Sequence, residues 1–220
     1  MIRLGVTGTD TGVGKTVITC ALIAALRERT DRVAAMKPVE SGGTLDAEQL
    51  WRATGAVHSM RMVCPVSLAD PVAPLLAARR SNTRVDLTVI DQAFAQLSAQ
   101  SDAIVVEGAG GLLVPITEAE SFATLFSRWD LDLIIVAANR LGVLNHTMLT
   151  VRVAREHGLS VRAVVLNTIS GLPPGIAETT NFEMLRELLP DVRIVPYAFA
   201  GDCDVMPKLS LTSLGFDHAL

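Results

Sequence analysis

Aromatic residues are scarce in this chain, at 4 % of 220 residues, while half of all residues are hydrophobic. Its core must therefore be built from Val, Ile, Leu and Ala, the composition of sheets covered by helices on both faces. Long apolar runs are also missing. The longest, Val17 to Leu26, contains Thr19 and falls short of the roughly 20 residues that span a bilayer. Cysteine is rare and unpaired in pattern: Cys20, Cys64 and Cys203 are widely spaced and form no Cys-x-x-Cys motif. With only four scattered histidines, this argues against a disulfide framework and against structural zinc. Basic residues are outnumbered, 19 Lys and Arg against 23 Asp and Glu, and the net charge of −4 argues against a general nucleic-acid binder. The N-terminus, Met1-Ile2-Arg3-Leu4, runs directly into a glycine loop, which leaves no room for a signal peptide. These features predict a cytoplasmic protein with no membrane and no nucleic-acid partner, folded as a single domain.

What is present is an alternation of short apolar runs and longer amphipathic ones. Leu4 to Thr7, Val33 to Pro38, Ala103 to Glu107, Leu133 to Ala138 and Val161 to Asn167 read as buried strands, with Arg193 to Pro196 as a short last one. Lys15 to Glu28, Asp46 to Thr54, Leu87 to Ala99, His146 to His157 and Glu178 to Leu189 read as helices. Strand and helix repeated in this way predict an α/β fold with a mostly parallel sheet and helices on both faces. Ligands of such sheets bind beyond the carboxyl ends of the strands. Polar residues fall at those ends: Thr7-Gly8, Lys37, Glu107 and Asn167.

Gly8-Thr9-Asp10-Thr11-Gly12-Val13-Gly14-Lys15-Thr16 follows a strand and opens a helix, the setting a phosphate-binding loop requires. Its glycines let backbone N–H groups converge on an anion, and the helix N-terminus adds a positive dipole. Lys15 can reach the outer phosphates and the Thr16 hydroxyl can ligate magnesium. Thr9 stands where the general pattern has its first glycine, with Gly8 one residue earlier; Gly12 and Gly14 still supply the close backbone approach.

Four further positions have both a chemical and a plain reading. Glu107, before Gly108-Ala109-Gly110-Gly111, either holds magnesium opposite Thr16 or simply ends a strand. Lys37 either faces the crevice to neutralise phosphate or an oxyanion, or is a solvated surface lysine. Asp46 is either a helix N-cap or a second magnesium carboxylate. Asn145-His146-Thr147 begins a helix with Asn145 as its N-cap, and Asn167 either reads a base edge or starts the turn to Gly171.

Four motifs in this order, GTDTxVGKT at Gly8 to Thr16, KPVxSG at Lys37 to Gly42, VEGAGG at Val106 to Gly111 and GxxNHT at Gly142 to Thr147, resemble those of dethiobiotin synthetases. The resemblance extends from about Leu4 to Asn167. It implies a P-loop NTPase-like fold and a reaction in which ATP, CO2 and 7,8-diaminononanoate give dethiobiotin, ADP and phosphate, with Mg2+ required. By matching position, it implies that Gly12, Val13, Gly14, Lys15, Thr16 and Val17 wrap the phosphates, with Gly108, Ala109 and Gly110 beside them. Thr16, Asp46 and Glu107 would form the magnesium set, and Lys37, Lys15 and Thr11 would serve catalysis. Asn167 and Thr168, with Pro196, Tyr197 and Ala198, would bind the adenine. Ser41, Gly111, Leu112, Leu144 and Asn145 would contact the diamine, near the interface of a homodimer.

Two other P-loop classes share parts of this pattern. Switch ATPases that position membranes or chromosomes carry an extra lysine near the start of the loop, where this chain has Asp10. Cobyrinate-type amide synthetases share the first and third motifs, but they work with a glutaminase domain and its nucleophilic cysteine, for which the chain is short and offers no Cys in a suitable setting.

Overall fold

A computed structural model describes residues 1–199 and 209–216; Cys203 lies outside the described residues. Its element order is β1 (Ile2–Gly8), α1 (Lys15–Arg27), β2 (Val33–Met36), β3 (Val39–Ser41), α2 (Leu45–Ala53), α3 (Met60–Val63), β4 (Val66–Leu68), α4 (Pro74–Arg80), α5 (Leu87–Ala99), β5 (Ala103–Gly111), α6 (Phe122–Arg128), β6 (Asp132–Ala138), α7 (Val143–Glu156), β7 (Val161–Asn167), α8 (Ile176–Leu188) and β8 (Arg193–Tyr197). The main sheet has six parallel strands in the order β2-β5-β1-β6-β7-β8.

Burial on both faces explains why the strands are continuously apolar rather than alternating. Ile104, Val106, Ile135 and Val164 point into one core with α5, α6 and α7. Their neighbours Ala103, Val105, Ile134 and Val165 point into the other, with α1 and the segment Leu209 to Phe216. Helix α1 contributes Ile18, Leu22, Ile23 and Leu26, all fully buried, each stabilising by about 1.5–3 kcal/mol. Gly5 on β1 leaves room for Phe126, whose ring would lie 3.0 Å from a Cβ there, closer than ordinary packing.

Several element boundaries differ from the sequence expectation, each for a local reason. Helix α7 starts at Val143, not His146: Gly142, at φ 93°, supplies the N-cap turn, and Asn145 lies inside the first turn instead of capping it. Asp46 is not an N-cap either, because Thr44 holds that position and Asp46 is the second residue of α2. The strand expected at Val33 to Pro38 ends at Met36, since Pro38 has no N–H for a ladder. The chain then starts β3, which pairs in parallel with β4 in a separate two-stranded sheet. Strands β1 and β5 run further than expected, and Gly8 pairs with Gly111 beyond the apolar stretch of each. Helix α8 begins two residues early at Ile176, with Glu178 accepting from the Gly175 N–H.

Candidate functional site

The central strand β1 ends between β5 and β6, and the loop from Thr9 to Gly14 crosses from it into α1. Gly14 is the N-cap of α1 in the left-handed region, at φ 88°. A Cβ there would come within 2.3 Å of Asn167 Nδ2, so both the backbone angle and the neighbour demand glycine. Asn167, at the end of β7, donates from Nδ2 to the Val13 carbonyl at 2.9 Å and braces the loop from beneath. Asp10 braces it from outside, accepting from the Thr11 N–H at 2.7 Å and pairing with Arg140 at 3.3 Å. Gly8 lies tightly under the loop, where a Cβ would stand 2.6 Å from the Asp10 carbonyl. The displaced glycine of this loop is thus used at the strand end, and Thr9 takes a sheet-like bond to Val136 O.

Lys15 and Thr16 open α1 and face the ends of β2 and β5. There the geometry centres on Lys37, whose side chain is 2 % exposed. Its ammonium donates to Glu107 Oε1 at 2.5 Å, to Asp46 Oδ2 at 2.9 Å and to the Gly108 carbonyl at 3.2 Å. The surface-lysine reading of Lys37 is therefore wrong. Glu107 is fully buried. Its Oε1 also accepts from the Thr16 hydroxyl at 3.0 Å, while Oε2 has no partner. Lys15 Nζ donates to the Asp10 carbonyl at 3.3 Å.

Charge balance follows from this crowding. Burial would lower the Lys37 pKa, but Glu107 and Asp46 outweigh it and the net direction is up. Burial, and then repulsion from Lys37, lower the Lys15 pKa. Burial would raise the Asp46 carboxyl; the Lys37 ammonium and the Thr16 hydroxyl outweigh it and the net direction is down. At neutral pH Lys37 is held as a cation by its acidic neighbours.

Above this cluster opens a cavity of about 620 Å³. Thr11, Gly12, Gly14, Lys15, Thr16, Val17, Lys37, Ser41, Asp46, Ala109 and Gly110 all line it, so the structure brings together residues far apart in sequence. Ser41 Oγ is buried without a hydrogen-bond partner. Other expected residues are placed elsewhere. Val13 and Leu112 point into the cores, and Leu144 packs against one of them. Gly108 contributes its carbonyl to Lys37 from below, Gly111 pairs with Gly8, and Asn145 is exposed on α7. Asn167, Thr168 and the Pro196-Tyr197-Ala198 segment lie across β1 from Lys37, at the ends of β7 and β8. Thr168 N–H donates to Tyr197 O at 2.9 Å, and the Tyr197 side chain is buried in the core rather than open to a base. The sequence reading missed the wall Pro71-Val72-Ala73-Pro74 and Glu40, both of which line the cavity.

The sequence matches the family described as "AAA domain" over residues 3–195. It is 41 % identical over 200 residues to a protein of Anaeromyxobacter sp. strain Fw109-5 named ATP-dependent dethiobiotin synthetase, covering 86 % of this chain and 90 % of that one. The chain belongs to the ATP-dependent dethiobiotin synthetase family. Proteins of the same name from Methanococcus vannielii and Nitrosospira multiformis are 39 % and 36 % identical, over 83 % and 96 % of this chain and 86 % and 95 % of theirs. Among solved structures, the signal recognition particle receptor FtsY from Elizabethkingia anophelis matches with TM-score 0.57 at 16 % identity, covering 97 % of this chain and 63 % of that one. A ParA family ATPase from Chlorobium tepidum TLS matches with TM-score 0.55 at 13 % identity, covering 92 % and 87 %. At such identities these likenesses establish a shared P-loop fold and nothing further. As a dethiobiotin synthetase family member, the chain is an ATP-dependent ligase of biotin biosynthesis. Burial pushes the Cys20 and Cys64 thiols up to about 12, so among the described residues no cysteine is activated as a nucleophile at neutral pH. No helix among the described residues is long and apolar enough to cross a membrane.

Proposed function

We propose that the Lys15–Lys37–Glu107 crevice carries out ATP-dependent closure of the ureido ring on 7,8-diaminononanoate, in the cytoplasm and as a homodimer. One amine of the diamine takes up CO2 and becomes a carbamate. A carbamate oxygen attacks the γ-phosphorus of ATP, and ADP leaves. The second amine then attacks the carbonyl carbon of this mixed anhydride, the C–O bond to phosphate breaks, and dethiobiotin forms. The first transfer brings an anion against a polyanion, so its barrier is chiefly electrostatic. The observation that carries this reading is the buried Lys37 ammonium, fixed by three acceptors 2.5–3.2 Å away beside the phosphate loop. A cation held in place at low exposure needs no reorganisation when charge develops on the carbamate and transferring phosphoryl oxygens. Lys15 supplies the second positive charge on the phosphate side, and the loop amides from Gly12 to Thr16 the remaining donors. Ser41, with its free Oγ at the cavity wall, orients the diamine.

The donor set suits Mg2+. Thr16 Oγ1, an Asp46 oxygen and a Glu107 oxygen are hard oxygen donors: Thr16 and Asp46 line the cavity, and the Thr16 hydroxyl bonds Glu107 Oε1 directly. Among the described residues no group of three or more His, Cys, Asp or Glu could hold a metal, so phosphate oxygens and water must complete the shell. When bound, the metal supplies charge neutralisation at the phosphates. Purified protein with Mg-ATP and bicarbonate, with and without diaminononanoate, tests the proposal. ADP release should depend on the diamine; release indifferent to it would refute the synthetase reading.

A further inference from the structure

Helix α2 carries Asp46 into the site, yet its own N-cap residue does not hold it. Thr44 makes no side-chain capping bond, and its hydroxyl instead donates to Glu48 at 3.0 Å. The loop before it is loose in composition, with Gly42 and Gly43 both at positive φ, 87° and 135°. The first-turn amides of α2 are claimed by a carboxylate from another element. Glu40, in the middle of β3, accepts from the Asp46 N–H with Oε1 and from the Ala47 N–H with Oε2, both at 2.9 Å. It is 6 % exposed, lies at the cavity wall, and its strand is pinned to β4 by the Glu40–Ser67 register. We infer that Glu40 is the positioning residue of this site: a remote N-cap that fixes α2 so that the Asp46 carboxylate faces Lys37 and Thr16. Two charge-assisted bonds to adjacent amides set both the translation and the rotation of the first turn, which a single Thr cap cannot do. The inference rests on the reading of Asp46 as a metal ligand.

The test is the affinity for Mn2+ in the presence of a non-hydrolysable ATP analogue, read from the electron paramagnetic resonance of free Mn2+ well below the melting temperature. Glu40→Ala should raise the half-saturating Mn2+ concentration by about tenfold, as loss of a residue that orients a metal ligand does, and should match Asp46→Asn. Glu40→Gln, which keeps one acceptor, should show a smaller rise. Adding Thr44→Asp to Glu40→Ala, a replacement cap, should restore affinity to within about twofold. Amide exchange in the peptide spanning 42–50 should speed up in Glu40→Ala and slow again in the double variant. If Glu40→Ala lowers only the melting temperature and leaves Mn2+ affinity at the wild-type value, Glu40 is merely structural and the inference fails. It fails equally if Asp46→Asn does not weaken Mn2+. Because neither diamine nor bicarbonate is present, loss of the synthetase reading would leave this measurement unaffected.

Discussion

Replacing Lys37 by methionine removes the cation and keeps most of the side-chain volume. In the wild-type protein Glu107 is fully buried, and its partners are the Lys37 ammonium at 2.5 Å and the Thr16 hydroxyl at 3.0 Å. The substitution leaves a buried carboxylate with one neutral donor. Breaking a buried pair in this way costs about 3–5 kcal/mol, chiefly from the uncompensated charge. The lost Lys37–Asp46 contact adds little, since the Asp46 side chain is 41 % exposed and solvent screens it. At 2–4 °C per kcal/mol for a chain of this size, the melting temperature should fall by roughly 6–20 °C. Adding Glu107→Gln removes the stranded charge and leaves an acceptor for Thr16. The double variant should recover most of the loss, even though it has lost two native groups rather than one. Thermal unfolding without nucleotide, followed by far-UV circular dichroism, reads all three proteins. A Lys37→Met loss under about 1 kcal/mol, or a double variant no more stable than the single, would refute the argument that the Lys37–Glu107 pair is electrostatically closed.

Other consequences are read more simply. Lys37→Ala should cut turnover while nucleotide binding mostly survives in fluorescence titration; equal loss of both would place Lys37 in binding rather than catalysis. Gly14→Ala places a Cβ at φ 88° and 2.3 Å from Asn167 Nδ2, so it should cost more than about 1–2 kcal/mol and abolish ATP binding; unchanged calorimetric affinity would contradict the loop geometry. In a Cys203→Ser variant, Cys20 and Cys64, both raised to about 12, should stay unreactive to Ellman's reagent at pH 8 until the protein is unfolded, and fast labelling would contradict their burial. Sedimentation should give about twice the 23.4 kDa chain mass, and a strictly monomeric active enzyme would contradict the homodimer.

The strands of the main sheet were legible because two-sided burial makes Ala103 to Val106 or Leu133 to Ala137 unbroken apolar runs. The phosphate loop was legible because its glycines and lysine must be contiguous. Elements β3, α3, β4, α4 and α6 escaped because they are only three to seven residues long, too short for periodicity to register. Some left signals all the same. Ser121 and Thr124 form a capping box at α6, and Pro74 opens α4 at its first turn. Lys37 could not be placed from sequence, since a lysine after a strand looks the same whether it faces solvent or Glu107. Glu40 left still less trace. Its partners are backbone amides six and seven residues on, and a carboxylate between Val39 and Ser41 carries no mark of an acceptor for them. Nor could Gly142 displacing Asn145 as the cap of α7 be read without the backbone angle.

The proposed coupling of ATP cleavage to carboxylation and ring closure in this crevice can be followed in the product itself. The most direct measurement supplies ATP, Mg2+, diaminononanoate and 13C-bicarbonate, and follows the product by mass spectrometry alongside ADP. The expected result is dethiobiotin carrying a single 13C, one ADP formed per product, and neither in Lys37→Met. ADP formed without labelled dethiobiotin, or labelled product from Lys37→Met at the wild-type rate, would contradict it.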